Sequence, residues 1–174
     1  PSGTWASGGN MNTARADLAG AGVSNSSAVM FGGYAPSAPN ANVGATETYD
    51  GSSFTEVADM NTARSQLNSA KNGTQTATLV IAGNLDNGSN SAKVEQWDGS
   101  SWTETGDVNT ARGDSGGVGT TTNGIIFGGY TASPLPPANV ALTESFNGSS
   151  WTEVNDLTTA ASEAAGSGTA TAAL

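Results

Sequence analysis

A segment of about fifty residues is repeated along this chain, and the repeat constrains the fold more than any other feature. Each copy is marked by an aromatic residue that is followed, seven positions later, by Asn-Thr-Ala-Arg or a variant of it. The aromatic residues are 49, 48 and 49 positions apart, and they are Trp5, Phe54, Trp102 and Trp151. A fixed period in this range is typical of repeat architectures, in which each unit buries its apolar surface against its neighbours. The sequence therefore predicts a stack of similar units.

Each copy contains the signals of four short β-strands. In the first copy a small-residue stretch precedes a short apolar run, and this run ends at Gly32-Gly33, which favours a buried strand over a helix. Further on, Asp50-Gly51 separates two alternating segments, and this dipeptide tolerates the positive φ angles of a tight hairpin. The predicted strands of this copy are residues 18–23, 28–31, 46–49 and 54–57.

The later copies keep this chemistry and indicate an all-β chain. Their hairpin dipeptides are Asp98-Gly99 and Asn147-Gly148. Four strands joined by polar turns, without helical periodicity, predict a four-stranded antiparallel sheet, and sheets at this period pack face to face around an axis as blades of a β-propeller. The apolar and aromatic runs that carry the prediction are residues 79–82, 94–97, 102–104, 125–127, 143–146 and 151–153.

The order of these features resembles the kelch repeat. Each copy has an Arg, an apolar strand ending in Gly-Gly, Glu-x-aromatic-Asp or a close variant, and a second aromatic a few residues later. The composition is rich in Ser, Thr, Asn and Ala, and together with motifs such as residues 151–157 it is similar to that of kelch-like arrays in structural proteins of marine bacteriophages. The resemblance implies a β-propeller and a place on a virion surface. Two departures are Gly83-Asn84, in place of Gly-Gly, and Ala161, in place of Arg.

The repeat divides the chain into about three and a half blades. A propeller needs roughly four to eight blades to close. We therefore expect closure by a second copy of the chain, as a homo-oligomer of about seven blades, or by further blades of a longer chain. The expected division is a terminal strand at 1–14, kelch-like blades at 15–63, 64–111 and 112–160, and the first strands of an incomplete blade at 161–174.

Composition excludes several function classes. Fifteen acidic and five basic residues give a net charge of −10, which disfavours binding to nucleic acid and to anionic membranes. The chain has neither Cys nor His, so it lacks a thiolate nucleophile, a disulfide framework and the commonest base and metal ligand near neutral pH. No apolar run approaches the ~20 residues that span a bilayer. The cellular compartment is not indicated by the sequence.

Repeated Arg and Glu residues allow two interpretations. They could form a ring of guanidinium groups around a ligand channel. Alternatively, each Arg could tie neighbouring blades together by binding backbone carbonyls and the repeated Glu, since its planar fork offers five donors. The kelch resemblance favours the structural role. The residues concerned are Arg15, Arg64, Arg112, Glu47, Glu95 and Glu144.

The hairpin residues Asp50, Asp98 and Asn147 could be considered as calcium ligands, but each turn supplies one oxygen-bearing side chain where a calcium loop needs several. The segment 86–90 is richer in oxygens and carries a single carboxylate, which is typical of a loop tip. The sequence thus predicts turn chemistry, with no metal site, no catalytic residue and no cofactor.

Two tyrosines are the predicted ligand contacts. The strand aromatics could stack on sugar rings, but their fixed positions favour packing between blades; they are Tyr49, Phe54, Trp97, Trp102, Phe146 and Trp151. Tyr34 and Tyr130 differ, because each follows the glycine pair and opens a long loop, while the second copy has Asn84 there. Loops carry recognition in such folds.

The predicted function is a non-enzymatic structural or recognition module that binds a glycan or a protein through its loops, with virion display implied by the resemblance. Sequence variation between copies concentrates in the loops 35–44, 85–92 and 131–141, and the absence of His and Cys argues against catalysis. The alternative is a carboxylate-dependent glycan-cleaving enzyme, which would require two acids from different blades to converge in a cleft.

Overall fold

The structure is a computed structural model that describes residues 7–36, 41–132 and 137–171. Within these ranges the chain is all-β, with fourteen strands and no helix. This confirms the predicted fold class at the level of antiparallel sheets. The predicted terminal strand around Trp5 and the last residue, Leu174, lie outside the described residues.

The first sheet has four antiparallel strands in chain order. Its central strands pair in the register Ala28↔Tyr49 and Phe31↔Thr46, which places the end of the apolar run opposite the start of the third strand. The pairing of Tyr49 with Phe54 then follows from the hairpin at Asp50-Gly51. The strands are β1 (Ala19–Ser24), β2 (Ser27–Phe31), β3 (Thr46–Tyr49) and β4 (Phe54–Val57).

The second sheet repeats this order with a shorter first strand. Its second strand is buried along its whole length, as expected for the run of Leu, Val and Ile. Trp97 and Trp102 pair across the hairpin as Tyr49 and Phe54 do in the first sheet. The strands are β5 (Asn68–Ser69), β6 (Thr78–Ile81), β7 (Val94–Trp97) and β8 (Trp102–Glu104).

The third sheet has the same four-strand order and one addition. Between its second and third strands, the loop forms a two-stranded ribbon, β11 (Tyr130–Thr131) with β12 (Ala138–Asn139). The sheet itself consists of β9 (Gly116–Gly119), β10 (Gly124–Phe127), β13 (Thr143–Phe146) and β14 (Trp151–Glu153). The predicted hairpins are therefore present in all three copies.

Successive sheets are joined along their first strands. Ser69 Oγ in the second sheet donates a hydrogen bond of 2.8 Å to the Gly20 carbonyl in the first. The side-chain amide of Asn68 donates to the Ser115 carbonyl, just before the third sheet, at 2.8 Å. Small residues at this seam allow the backbones to approach, since a Cβ on Gly117 would lie 2.8 Å from the Asn68 amide nitrogen.

Apolar side chains fill the space between sheets. Trp102 of the second sheet meets Phe31 of the first edge to face, with ring centroids 4.9 Å apart. Phe146 and Trp151 of the third sheet pack in one cluster with apolar residues of the second. Four of the six strand aromatics are buried as predicted, whereas Tyr49 and Phe54 are half-buried because no described sheet precedes the first.

The glycine pair has a specific backbone role. Gly33, at φ 110°, donates its N–H to the Arg64 carbonyl of the next repeat, and Gly83, at φ 113°, does the same to Arg112. Gly83 therefore occupies the slot of the second glycine. The departure in the second copy lies at Ala82, which adopts φ 57° where the first copy has Gly32, and not at Asn84 as the sequence suggested.

The two ends of the described chain differ in how far they follow the repeat. Asn12 donates its backbone N–H to Glu47 at 2.7 Å, as Asn61 does to Glu95. Residues 161–171, which the sequence assigns to the first strands of a fourth unit, form turns and bends and contain no strand. A Cβ on Gly166 of this segment would lie 2.8 Å from Val118 of the third sheet. The segment therefore packs against the last described sheet.

Candidate binding cleft

The repeated Arg and Glu form buried ion pairs within each unit. The nitrogen-to-oxygen distances are 3.0, 2.7 and 2.9 Å for Arg15–Glu47, Arg64–Glu95 and Arg112–Glu144. In each pair both side chains are essentially inaccessible to solvent. These groups cannot contact a ligand in a channel, and the structural interpretation is the one the geometry supports.

Arg64 shows how such a pair holds the unit together. Its guanidinium donates to the backbone carbonyls of Thr62 and Ala82 at 3.3 and 3.2 Å, and its partner Glu95 accepts the backbone N–H of Asn61 at 2.7 Å. Burial lowers the pKa of Arg64, and the Glu95 carboxylate opposes that shift. The pair thus holds residues 61–62, at the end of the preceding repeat, against the repeat of Arg64 and Glu95. A further link to the preceding repeat is made by the Arg64 carbonyl, which accepts from Gly33.

The Asp and Asn side chains of the hairpins stabilise the turns. Oδ1 of Asp98 accepts the backbone N–H groups of Ser100 and Ser101, each at 2.8 Å, and Asn147 makes the same bonds at 3.0 Å. The bonds from Ser101 and Ser100 lower the pKa of Asp98 to about 2. Among the described residues, no group of three or more His, Cys, Asp or Glu side chains is arranged to hold a metal ion.

A different set of side chains converges where the four repeats meet. Four residues adopt the left-handed conformation at equivalent repeat positions, with φ between 48° and 53°: Asp17, Gln66, Asp114 and Glu163. Their main chains form a ladder across the repeats. Gln66 N–H donates to the Asp17 carbonyl at 3.0 Å, Asp114 N–H to Gln66 at 3.0 Å, and Glu163 N–H to Asp114 at 2.7 Å. These residues and the one after each line a cleft of about 230 Å³.

The cleft is acidic, and the pKa of one of its carboxyl groups is raised by burial and by the other carboxylates. Burial raises the pKa of Asp114, and the nearby carboxylates of Glu163 and Asp17 raise it further. Gln66 donates to Asp114 Oδ2 at 2.8 Å and opposes the shift in part. Three carboxyl groups and one amide therefore face a shared, open volume and are not consumed by Arg pairing.

The predicted tyrosines pair through their main chains with residues next to this cleft. Tyr34 pairs through its main chain with Ala16, the residue before Asp17, and Tyr130 pairs with Gly113, the residue before Asp114. Tyr34 is 41% exposed, and Tyr130 is half-buried. The main chains of the two tyrosines thus lie beside the ladder, whereas the cleft itself is lined by the ladder residues and the residue after each.

The second copy fills the tyrosine slot with an amide. Asn84 pairs with Ser65, one position before Gln66, and its side chain donates to the Gln66 side-chain oxygen. Asn42 of the first loop donates to the Asn84 carbonyl at 2.8 Å, and its N–H donates to Asp86 Oδ1 at 2.8 Å. Asn84 is therefore part of a hydrogen-bond network that joins the loop of Asn42 to Gln66 at the cleft.

Sequence reasoning missed the four ladder residues. They differ in chemical type, so no repeated motif marks them. A positional signal was nevertheless available, because each lies two residues after the repeated Arg slot, at Arg15, Arg64, Arg112 and Ala161. The position two residues after this slot is polar in all four repeats although its residue type varies, and this pattern could have led to the cleft.

Comparison with known proteins assigns no family. No protein-family model and no curated protein matches the chain. The residues and geometry described above therefore carry the functional argument. No helix in the described ranges is long and apolar enough to cross a membrane.

Proposed function

We propose that this chain is a kelch-like β-propeller module that recognises a glycan at the cleft lined by Asp17, Gln66, Asp114 and Glu163, with Tyr34 and Tyr130 as further contacts. One observation carries the proposal: carboxylates and an amide from separate repeats converge on a single open volume, and the main chains of two tyrosines pair with residues next to it. No repeat contributes the whole site, so its assembly depends on the stacking of the sheets.

The propeller arrangement is supported by three features. The first strands of successive sheets are adjacent, and the ladder from Asp17 to Glu163 connects all four repeats at one end of those strands. The strand-four aromatics of the second and third sheets pack against the preceding sheet. Repeated units that meet along one inner strand and face each other through apolar layers are typical of blades around an axis.

The side chains suit a sugar. Carboxylates accept hydrogen bonds from hydroxyl groups, an amide both donates and accepts, and an aromatic ring packs on the apolar C–H face of a pyranose. Asp114 and Gln66 provide the polar groups, and Tyr34 provides an exposed ring. An anionic glycan would be repelled by the acidic cleft, so a neutral or amino-substituted glycan is the expected class.

The test is a screen of purified chain on a glycan array, followed by titration calorimetry with the best ligand. The double variant Tyr34→Ala/Tyr130→Ala and the variant Asp114→Asn should each weaken binding at least about tenfold. Val23→Ser is the matched control, since Val23 is 70% exposed in the hairpin between the first two strands. Unchanged affinity in both variants, or an array with no ligand, contradicts the proposal.

A second candidate function, glycoside hydrolysis, is favoured by the pKa of Asp114. A carboxyl group with a raised pKa near a second carboxyl group is the arrangement that such enzymes use, with one group as acid and the other as nucleophile or base. Asp114 would be the acid, and Glu163 or Asp17 the partner. Reducing-end release that is lost in Asp114→Asn while binding persists would establish hydrolysis. Binding without any turnover would leave recognition alone.

We also propose display on a phage particle, on the strength of the resemblance to kelch-like arrays of phage structural proteins. A protein in that setting would use the cleft to contact glycans of a host envelope. The genomic neighbourhood tests this placement: capsid or tail genes beside the coding sequence support it, and a neighbourhood of metabolic genes contradicts it.

A further inference from the structure

The interface between the first two sheets contains a hydrogen bond that spans 56 residues of sequence. The indole N–H of Trp102 donates to Thr46 Oγ1 at 3.0 Å. Thr46 is the first residue of β3, and its own hydroxyl proton is directed to the Gly44 carbonyl at 3.4 Å. A lone pair of this buried hydroxyl therefore remains for the indole of the following sheet.

The next interface lacks this bond. Trp151 stands in the third sheet where Trp102 stands in the second, each pairing across its hairpin with the last residue of the third strand. The residue equivalent to Thr46 is Val94, the first residue of β7, which has no acceptor in its side chain. The buried Trp151 Nε1 accordingly finds no hydrogen-bond partner within the described part of the chain. The first position of the third strand thus decides whether a following tryptophan is satisfied.

The third sheet restores the threonine. Thr143 is the first residue of β13, is 5% exposed, and donates its hydroxyl proton to the Ala141 carbonyl at 3.5 Å, as Thr46 does to Gly44. No donor among the described residues reaches its oxygen. The same side chain, in the same register and with the same internal bond, is set to accept an indole from a sheet that follows the third.

The chain carries one more tryptophan at the repeated aromatic position, Trp5, which continues the spacing of 49, 48 and 49. Phe54 has no N–H group, and Trp102 and Trp151 are buried within their own chain. We propose that the face of the third sheet around Thr143 docks the N-terminal segment of a second copy of this chain, with the Trp5 indole donating to Thr143 Oγ1. This rests on the proposed propeller arrangement, in which a second copy supplies the unit that follows the third sheet.

A second copy is the occupant for a further reason. In the first sheet Tyr49 and Phe54 are half-buried, whereas the equivalent pairs of the other sheets are buried. Residues 7–14 are anchored on this sheet through Asn12 and Glu47, so the N-terminal segment belongs to the first sheet's side of its own chain. Docking head to tail covers the first sheet of one copy and the third sheet of the other in one step.

Sedimentation equilibrium of the full chain tests the proposal. The wild type should self-associate, and Thr143→Val and Trp5→Phe should each raise the dissociation constant about fivefold for every head-to-tail contact, the value of one hydrogen bond. The double variant should be no weaker than the weaker single one, because both remove the same bond. Thr143→Ser keeps the hydroxyl and should restore association. Thr46→Val is the matched control, since it removes the intramolecular bond and should leave the dissociation constant unchanged.

Several outcomes overturn the proposal: a chain that is monomeric at every concentration, additive effects of the two substitutions, or a Thr143→Ser variant as weak as Thr143→Val. Intrinsic fluorescence gives an independent readout, because the wild-type minus Trp5→Phe difference spectrum should shift to the blue on association. Glycan affinity measured in the same samples separates this proposal from the proposed function. Lost association with retained binding affects only the docking site, and lost binding with retained association affects only the cleft.

Discussion

The two interfaces between the three sheets are built on the same plan and satisfy their tryptophans differently. The first interface combines the Phe31–Trp102 contact with the hydrogen bond from Trp102 to Thr46. The second buries Trp151 against a layer of aliphatic residues and leaves its N–H without a partner among the described residues. A buried indole tolerates the loss of one hydrogen bond, at a cost of about 1–3 kcal/mol, when dense apolar packing surrounds it. Repeats can therefore keep one geometry while exchanging polar for apolar contacts.

The largest expected effect comes from breaking the backbone links that hold both interfaces. In Gly33→Ala the new Cβ would lie 2.6 Å from the Ala16 carbonyl oxygen, at a φ of 110° that a side chain rarely adopts. We expect a loss of about 3 kcal/mol or more in the free energy of unfolding, measured by urea denaturation. Gly83→Ala should cost a similar amount at the second interface. Gly88→Ala is the control, since nothing lies within 4 Å of its added Cβ, although its φ of 79° leaves a smaller strain.

Trp102→Phe and Trp151→Phe compare the two tryptophans directly. Both substitutions remove similar apolar volume, but only the first removes a hydrogen bond and leaves the buried Thr46 hydroxyl without its indole. Trp102→Phe should therefore be more destabilising than Trp151→Phe by about 1 kcal/mol, by thermal or urea unfolding. Equal losses would show that the bond to Thr46 contributes nothing net.

Val94→Thr should give the second interface the indole hydrogen bond that the first interface has. The new hydroxyl would offer Trp151 the acceptor that Thr46 offers Trp102, so the usual penalty for burying a hydroxyl should be offset. We expect the free energy of unfolding to stay within about 1 kcal/mol of the wild type. In a Trp151→Phe background the same substitution should be clearly destabilising. A Val94→Thr cost that is the same in both backgrounds would mean that no bond forms.

The smallest effect concerns pH and the hairpins at the outer strands of the second and third sheets. The pKa of Asp98 is lowered to about 2 by its bonds to Ser101 and Ser100, whereas Asn147 holds the equivalent turn without a titrating group. Because the pKa in the folded state lies below the ordinary value of 3.8, the carboxylate contributes stability above pH 3.8 that is lost as pH falls towards 2. Asp98→Asn should reduce the dependence of stability on pH between 3.8 and 2. The replacement of Asn147 by Asp should steepen it, as measured by thermal unfolding at stepped pH.

The sheets were predictable because their signals are local. The run at 28–31, the Asp-Gly hairpin and the return strand at 54–57 each lie within a few residues and appear as β2, the turn and β4. The first strand of the second copy is an exception. Asn68–Ser69 carries no apolar signal, and it lies beside the first sheet, where Ser69 donates to the Gly20 carbonyl. The fold class therefore followed from pattern, while the length of individual strands depended on neighbours.

The cleft was not predictable, for a physical reason. Asp17 and Asp114 approach each other only because the left-handed turn of each repeat bonds to the next, and the register between sheets is not encoded in any one repeat. The tyrosines were found because they follow a glycine pair, a local mark. Their main-chain pairing with Ala16 and Gly113, next to the ladder residues, is not displayed by the sequence.

The ladder of left-handed residues has a direction. It begins at Asp17, which only accepts in the ladder, and ends at Glu163, which only donates. The two ends of the ladder are therefore unlike, and under the proposed self-association a second copy would extend the ladder head to tail, by a heterologous contact between unlike faces. Such a contact either closes into a ring or continues as an open helical filament, and the rotation per unit decides between them. The angle set by a few N–H to carbonyl bonds near the cleft would thereby select between a closed ring and an open filament.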